Sequence, residues 1–155
     1  MADPARFGAD LRLLGNLEQQ EDRGRGEDLK TATRLQTGRV DLELLSGVEN
    51  LQQALLLRFL THRGELAPLG HRTYGSRLHE LIGEPNTETT RNRAKLFALE
   101  ALREEPRVAE VLDLRVISRR QAPTRIDIAA ELRAVDGDTP FNLVFPFFLD
   151  GGAGP

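Results

Sequence analysis

The chain has 155 residues, 39% of them apolar, and its 21 basic and 24 acidic side chains leave a net charge of -3. That length suits one domain with a modest core, and that balance gives no overall attraction to nucleic acid or to an anionic membrane. The lack of cysteine excludes disulfides, thiolate metal sites and a cysteine nucleophile, and no apolar run reaches the ~18 residues of a membrane-spanning helix.

The first residues, MADPARFGADLRLLG, show no basic start followed by a long apolar run, so no secretory signal is expected and the protein is expected to be made in the cytoplasm. Residues 7–14 alternate in part, with Phe7, Ala9, Leu11 and Leu13 on one face, and predict a short strand. Residues 15–28 mix charges with three glycines and predict a mobile loop, which makes residues 1–28 an N-terminal strand and charged loop. Two short strands follow at 29–36 and 39–45, around Thr37 and Gly38. In the second, Val40, Leu42 and Leu44 face one way, Asp41 and Glu43 the other.

The spacing predicts a helix from Val48 to about His62. Val48, Leu51, Leu55 and Phe59 form its stripe, Leu56 and Leu60 widen it, and Leu57 falls almost opposite at ~100° per residue. A helix apolar on several sides is packed on several sides. It is therefore expected at the centre, against a sheet and other helices, with Gly64 stopping it in a left-handed cap. Gly64, Pro68, Gly70 and Gly75 make residues 64–75 a tight loop. Ser76 to Ile82 predicts two helical turns, ended by Gly83 and by Pro85, which blocks continuation. Asn86 or Thr87 caps a further helix to about Arg103, with Ala94, Phe97, Ala98 and Ala101 buried and Pro106 ending it.

The period then changes. Leu112, Leu114 and Val116 alternate with Asp113 and Arg115; Ile126, Ile128, Ala130, Leu132 and Ala134 alternate with Arg125, Asp127, Glu131 and Arg133. These are strands, joined through the turn Asp136-Gly137-Asp138 to a last strand whose Phe141, Leu143, Phe145, Phe147 and Leu149 share a face. Pro146 has no N–H for a ladder, so that strand is expected at an edge or kinked. Residues 29–149 then form a single small α+β domain, an antiparallel or mixed sheet packed against about three helices, and residues 150–155 a disordered tail.

Candidate chemical groups are sparse. His62, His71 and His79 lie further apart than zinc ligands usually do and read as surface or packing groups. Glu49, Glu65 and Glu84 flank helix ends, where carboxylates cap and oppose dipoles. A glycosidase pair needs a defined separation and one raised pKa, and no nucleophile–base signature marks any residue. Ser46 and Ser76 sit in no nucleophile elbow, and Gly64, Gly70 and Gly75 form no phosphate fingerprint. Glu105-Pro106-Arg107 is more suggestive. Pro106 fixes its own φ and restricts Glu105, and Arg107 offers a planar fork for carboxylates or carbonyls. Such a corner suits docking to a partner's helix ends.

With these residues in order, the chain resembles the GPW-type baseplate wedge family of contractile phage tails, often labelled lysozyme-like, with relatives in type VI secretion baseplates and extracellular injection particles. The resemblance rests on Glu49-Asn50-Leu51-Gln52-Gln53-Ala54-Leu55, Leu60-Thr61-His62-Arg63-Gly64-Glu65, Tyr74-Gly75-Ser76-Arg77-Leu78, Glu105-Pro106-Arg107 and Asn142-Leu143-Val144-Phe145-Pro146-Phe147. It covers about residues 40–149. Leu66 departs from the arginine that many relatives carry after the Gly-Glu pair, and the N-terminal region does not match the short phage version.

The resemblance implies a sheath-subunit-like core and a structural role without catalysis or cofactor. It implies wedge proteins bound at Glu105, Pro106 and Arg107, and a sheath protein contacting the strand Phe141, Asn142, Leu143, Val144, Phe145, Pro146 and Phe147 by strand exchange. It also implies about six copies in a cyclic baseplate, no nucleic acid and no membrane insertion. Assembly would be cytoplasmic, in a particle that is released or stays inside the cell. A peptidoglycan-cleaving enzyme and an unrelated soluble adaptor are the competing functions.

Overall fold

The computed structural model describes residues 7–14, 31–135 and 137–151. The predicted loop at 15–28, the start of the predicted strand at 29–36, Asp136 of the predicted turn and most of the predicted tail lie outside the described residues. The strands are β1 (Ala9–Leu11), β2 (Thr31–Thr33), β3 (Val40–Leu42), β4 (Leu44–Ser46), β5 (Val108–Arg119), β6 (Ala122–Ala134) and β7 (Phe141–Phe148); the α-helices are α1 (Gly47–Leu60) and α2 (Glu88–Arg103).

Period-two patterning builds the main sheet. β6 lies between β5 and β7, antiparallel to both. Its Ile126, Ile128, Ala130, Leu132 and Ala134 are buried, and Phe147, Phe145, Leu143 and Phe141 sit opposite the first four of these. The expected face of the last strand is thus the core face, and that strand is an edge. Leu112 departs from its predicted alternation and is exposed, because the register of β5 shifts between Val111 and Asp113.

Helix α1 is the central helix, touching β1, β4, β7 and α2. Leu51, Leu55, Leu56 and Phe59 are buried, and so are the polar Asn50, Gln52, Gln53 and Arg58. Each buried amide has a bonding task, as a buried polar group requires. Asn50 Nδ2 donates to Phe7 O at 2.7 Å, Gln52 Nε2 to Asn142 O at 3.0 Å and Gln53 Nε2 to Leu11 O at 2.8 Å. The helix therefore straps the N-terminal segment and β7 together. In α2, Thr87 is the cap, its Oγ1 accepting from Thr90 N, and Ala94, Phe97, Ala98 and Ala101 are buried as predicted.

Several expectations change. The segment 39–45 is two strands: β3 pairs with β2, and β4 pairs with β1. Val40, Leu42 and Leu44 are exposed and Leu45 is buried instead, because Glu43 breaks the run and changes the partner. In the first strand Phe7 is buried but Ala9 and Leu13 are exposed. Val48 is exposed, outside the stripe. Helix α1 ends at Thr61, in extended backbone, rather than at Gly64. Ser76 to Ile82 holds only a 3-10 turn, Leu78–Leu81, and another lies at Ala67–Leu69 within the predicted tight loop. Among the described residues, two α-helices and these two short turns stand where about three helices were expected.

Candidate docking site at the corner between helix α2 and strand β5

The loop after α1 doubles back on itself. Ser76 N donates to Thr61 O at 2.9 Å and Arg63 N to Ser76 O at 3.0 Å. Gly75 makes this approach possible: its φ is +107, and an added Cβ would sit 2.6 Å from Thr61 O. The strands of backbone so joined bring Tyr74 over α1, where the Arg58 guanidinium carbon lies 4.5 Å from the centre of its ring. Ser76 Oγ donates to Phe59 O at 2.9 Å, a packing bond rather than a nucleophile's.

At the other side of Arg58 lies the Glu105-Pro106-Arg107 corner. Glu105 is 4% exposed; it turns inward, whereas the expectation was an acid presented outward. Its carboxylate is clamped between Arg107 Nε at 2.6 Å and Arg58 Nη2 at 3.2 Å. The Arg107 backbone N–H adds a bond to the same carboxylate, and Arg107 Nη1 donates to Phe7 O. Pro106 is exposed and Arg107 half-buried, so these two, and not Glu105, form the outward face of the corner. Glu104 extends the network, bonded to Arg63 at 2.7 Å and lying 3.9 Å from Arg58.

The electrostatics follow from burial and partners. Burial alone would raise the Glu105 carboxyl, but the Arg107 hydrogen bond and charge, with Arg58, outweigh it and hold the group below the usual carboxylate range. Burial pushes the Tyr74 phenol above its ordinary value; Arg58 and Arg107 oppose this and Glu105 adds to it. Beside the network opens a cleft of about 440 Å³ lined by Arg58, Gly70, His71, Arg72, Thr73, Tyr74 and Glu104. Arg58 and Tyr74 were missed as site residues. The signal for Arg58 was a cation on the buried side of α1, next to Leu55 and Phe59.

The other predicted surface is β7. Leu149 N donates to Thr124 O at 2.8 Å, and positions in an antiparallel pair alternate between bonded and unbonded. By that parity Phe147, Phe145, Leu143 and Phe141 bond to β6, while Phe148, Pro146, Val144 and Asn142 turn their backbone outward. Pro146 has no N–H to offer, and Asn142 O is taken by Gln52. Val144 is the residue of the predicted contact strand whose outward N–H and C=O both stay open among the described residues. The outer face opposite Pro146 carries Asp127, 3% exposed, held by Arg125 at 2.7 Å and Arg119 at 3.1 Å. The corner opens β5, so β6 separates it from the β7 edge.

The ring of His62 stacks on that of His79, centroids 4.2 Å apart, a packing role. Among the described residues no group of three histidines, cysteines or carboxylates is placed to hold a metal ion. Nor is any helix of the described residues long and apolar enough to cross a membrane.

No family model and no curated protein matches the chain. Among solved structures it is similar to a crystal structure from Geobacter sulfurreducens of a protein provisionally named a tail lysozyme. The two are 29% identical, with a TM-score of 0.60, covering 70% of this chain and 96% of the other. The molecule thus shares its α+β fold with a tail-related protein.

Proposed function

We propose that the protein is a structural component of the baseplate of a contractile tail or injection particle. In this reading it joins wedge-type proteins at Pro106 and Arg107 and offers the β7 edge to the first sheath ring, and it is made and assembled in the cytoplasm. The observation that carries it is the likeness to a tail protein over nearly all of that protein's length, in a chain whose docking corner is rigidly tied to the core. Strand addition at an edge needs main-chain groups and no special side chains, which suits Val144.

The name of the similar protein favours a second reading, peptidoglycan cleavage. A retaining or inverting glycosidase needs one carboxylic acid with a raised pKa. Among the described residues the two buried carboxylates, Glu105 and Asp127, each lie between two guanidiniums, and Glu105 is held low. That arrangement supports a structural role. A tagged chain expressed in its native host should copurify with sheath- and wedge-type proteins in particles visible by electron microscopy, and should release no sugar from peptidoglycan. Recovery of the chain free of particles, or turnover abolished by a single Glu→Gln change, would overturn the proposal.

A further inference from the structure

We propose that the cleft beside Tyr74 is a receptor for a carboxylate side chain on an acidic segment of a partner protein. This deepens the docking reading, on which it rests, by naming the chemistry that the partner brings.

The corner and its cleft together carry four guanidiniums, Arg58, Arg63 and Arg107 of the ion-pair network and Arg72 on the cleft wall, against two carboxylates, Glu104 and Glu105. Both carboxylates are already engaged, whereas Arg72 makes no ion pair among the described residues. Donors are in surplus as well. Arg58 Nε is buried without a hydrogen-bond partner, although the rest of that guanidinium holds Glu104 and Glu105. That nitrogen lies beneath the surface, so the donors within a ligand's reach are those of Arg72 and Tyr74. The Tyr74 phenol, whose pKa burial raises, is also a donor and has no acceptor among the described residues. Thr73 and His71 complete a donor-rich lining.

A carboxylate suits this lining better than a phosphate or nucleic acid. Guanidinium and phenol donors match a planar acceptor. Glu104 on the wall repels a dianion about twice as strongly as a monoanion, since Coulomb energy scales with the charge product. The chain's own net charge of -3 also disfavours a polyanion drawn in by long-range attraction. The cleft is polar and open rather than apolar, so a charged side chain on a partner's surface reaches it without being stripped from a core.

The test uses a built-in reporter. Tyr74 is the single tyrosine and there is no tryptophan, so intrinsic fluorescence reads this cleft alone. An oligo-glutamate peptide should give a saturable change in the isolated protein at constant ionic strength. Oligo-glutamine should give none, and inorganic phosphate should bind at least about fivefold more weakly. By calorimetry, Arg72→Ala should weaken oligo-glutamate about two- to fivefold, as for an exposed pair. Tyr74→Phe, which keeps the ring over Arg58, should weaken it about three- to tenfold. Arg120→Ala, an exposed cation at the β5–β6 turn outside the cleft, should leave it unchanged. No saturable response, an equal response to oligo-glutamine or phosphate, or equal losses in Arg72→Ala and Arg120→Ala would each overturn the proposal. A protein that binds the peptide but joins no particle refutes only the docking reading; one that joins particles yet ignores the peptide refutes only this inference.

Discussion

Replacing Glu105 by glutamine is the sharpest perturbation of the corner. The side chain keeps its shape, and one oxygen can still accept from Arg107. What is lost is the charge between Arg58 and Arg107, and the new amide presents donors to donors at 3.2 Å from Arg58 Nη2. Removing one member of a buried ion pair typically costs about 3–5 kcal/mol, because the remaining charge stays buried and unmatched. Arg58 is buried whereas Arg107 is half-exposed and can turn to water, so the cost should fall near the lower end, ~3 kcal/mol. Against a total stability of about 5–15 kcal/mol, that is a large fraction in a fold that still forms. Urea unfolding followed by circular dichroism gives the total, and Tyr74 fluorescence the local response. The companion double variant, Arg58→Met with Glu105→Gln, removes the stranded cation and should regain at least half of the loss. A single variant within ~0.5 kcal/mol of the parent, or a double variant less stable than both singles, would refute the account of Glu105 as the clamp of this corner.

Other perturbations bear on the same corner and on the elements around it. The Glu105 carboxyl is lower in the folded than in the unfolded chain, so its stabilisation is present above the unfolded value of ~4.3 and lost as pH falls through the folded value; the glutamine variant should lack that component of acid sensitivity. Absorbance titration of the single tyrosine should show ionisation above the usual phenol value, and the associated stability, intact below ~10, should be lost as pH rises through the folded value. Thr87→Ala removes the α2 cap and should cost ~1 kcal/mol in urea unfolding. Gly75→Ala should cost more than ~2 kcal/mol and shift Tyr74 emission, because the methyl meets backbone at 2.6 Å and the φ of +107 is strained for alanine; a change below ~0.5 kcal/mol would show that the doubled-back loop is not needed.

Much of the fold is written in periodicity. Every predicted core-face residue of β6 and β7 is buried, although Asp127, Pro146 and Phe148 on the other face are buried as well, and the alanine stripe of α2 lies where a period of 3.6 puts it. The sequence is less legible where a short segment changes partner. Nothing local in Val40, Leu42 and Leu44 tells that β3 and β4 pair with different strands, since alternation records a face and not a neighbour. The 3-10 turn at Leu78–Leu81 has an apolar pattern short enough to suit either kind of helix. At the corner, Glu105, Pro106 and Arg107 were legible as a rigid element, but the direction of Glu105 was not. It depends on Arg58, 47 residues earlier in the chain, and a long-range pair of opposite charges leaves no local trace.

The β7 edge separates two substitutions that look alike in sequence. Leu143 and Val144 are neighbours in the same strand, and a proline at either would remove one N–H. By the parity anchored at Leu149, the Leu143 N–H points to β6 and its side chain is 1% exposed, whereas the Val144 N–H points away from the sheet. Leu143→Pro should therefore lose a ladder bond and a buried leucine together, costing more than ~3 kcal/mol. Val144→Pro places the ring where edge prolines are tolerated, as Pro146 already is, and should cost ~1 kcal/mol or less beyond lost packing. If the β7 edge receives a strand from the first sheath ring, the folded Val144→Pro protein should still bind wedge-type partners while failing to start a sheath, because the bond it lacks is one between chains. Thermal melts decide the first point and electron microscopy of assembled particles the second. Equal destabilisation by the two prolines would show that the register parity is wrong. A folded Val144→Pro protein that nucleates full-length sheath would show that strand exchange takes place elsewhere, leaving the corner as the surface to pursue.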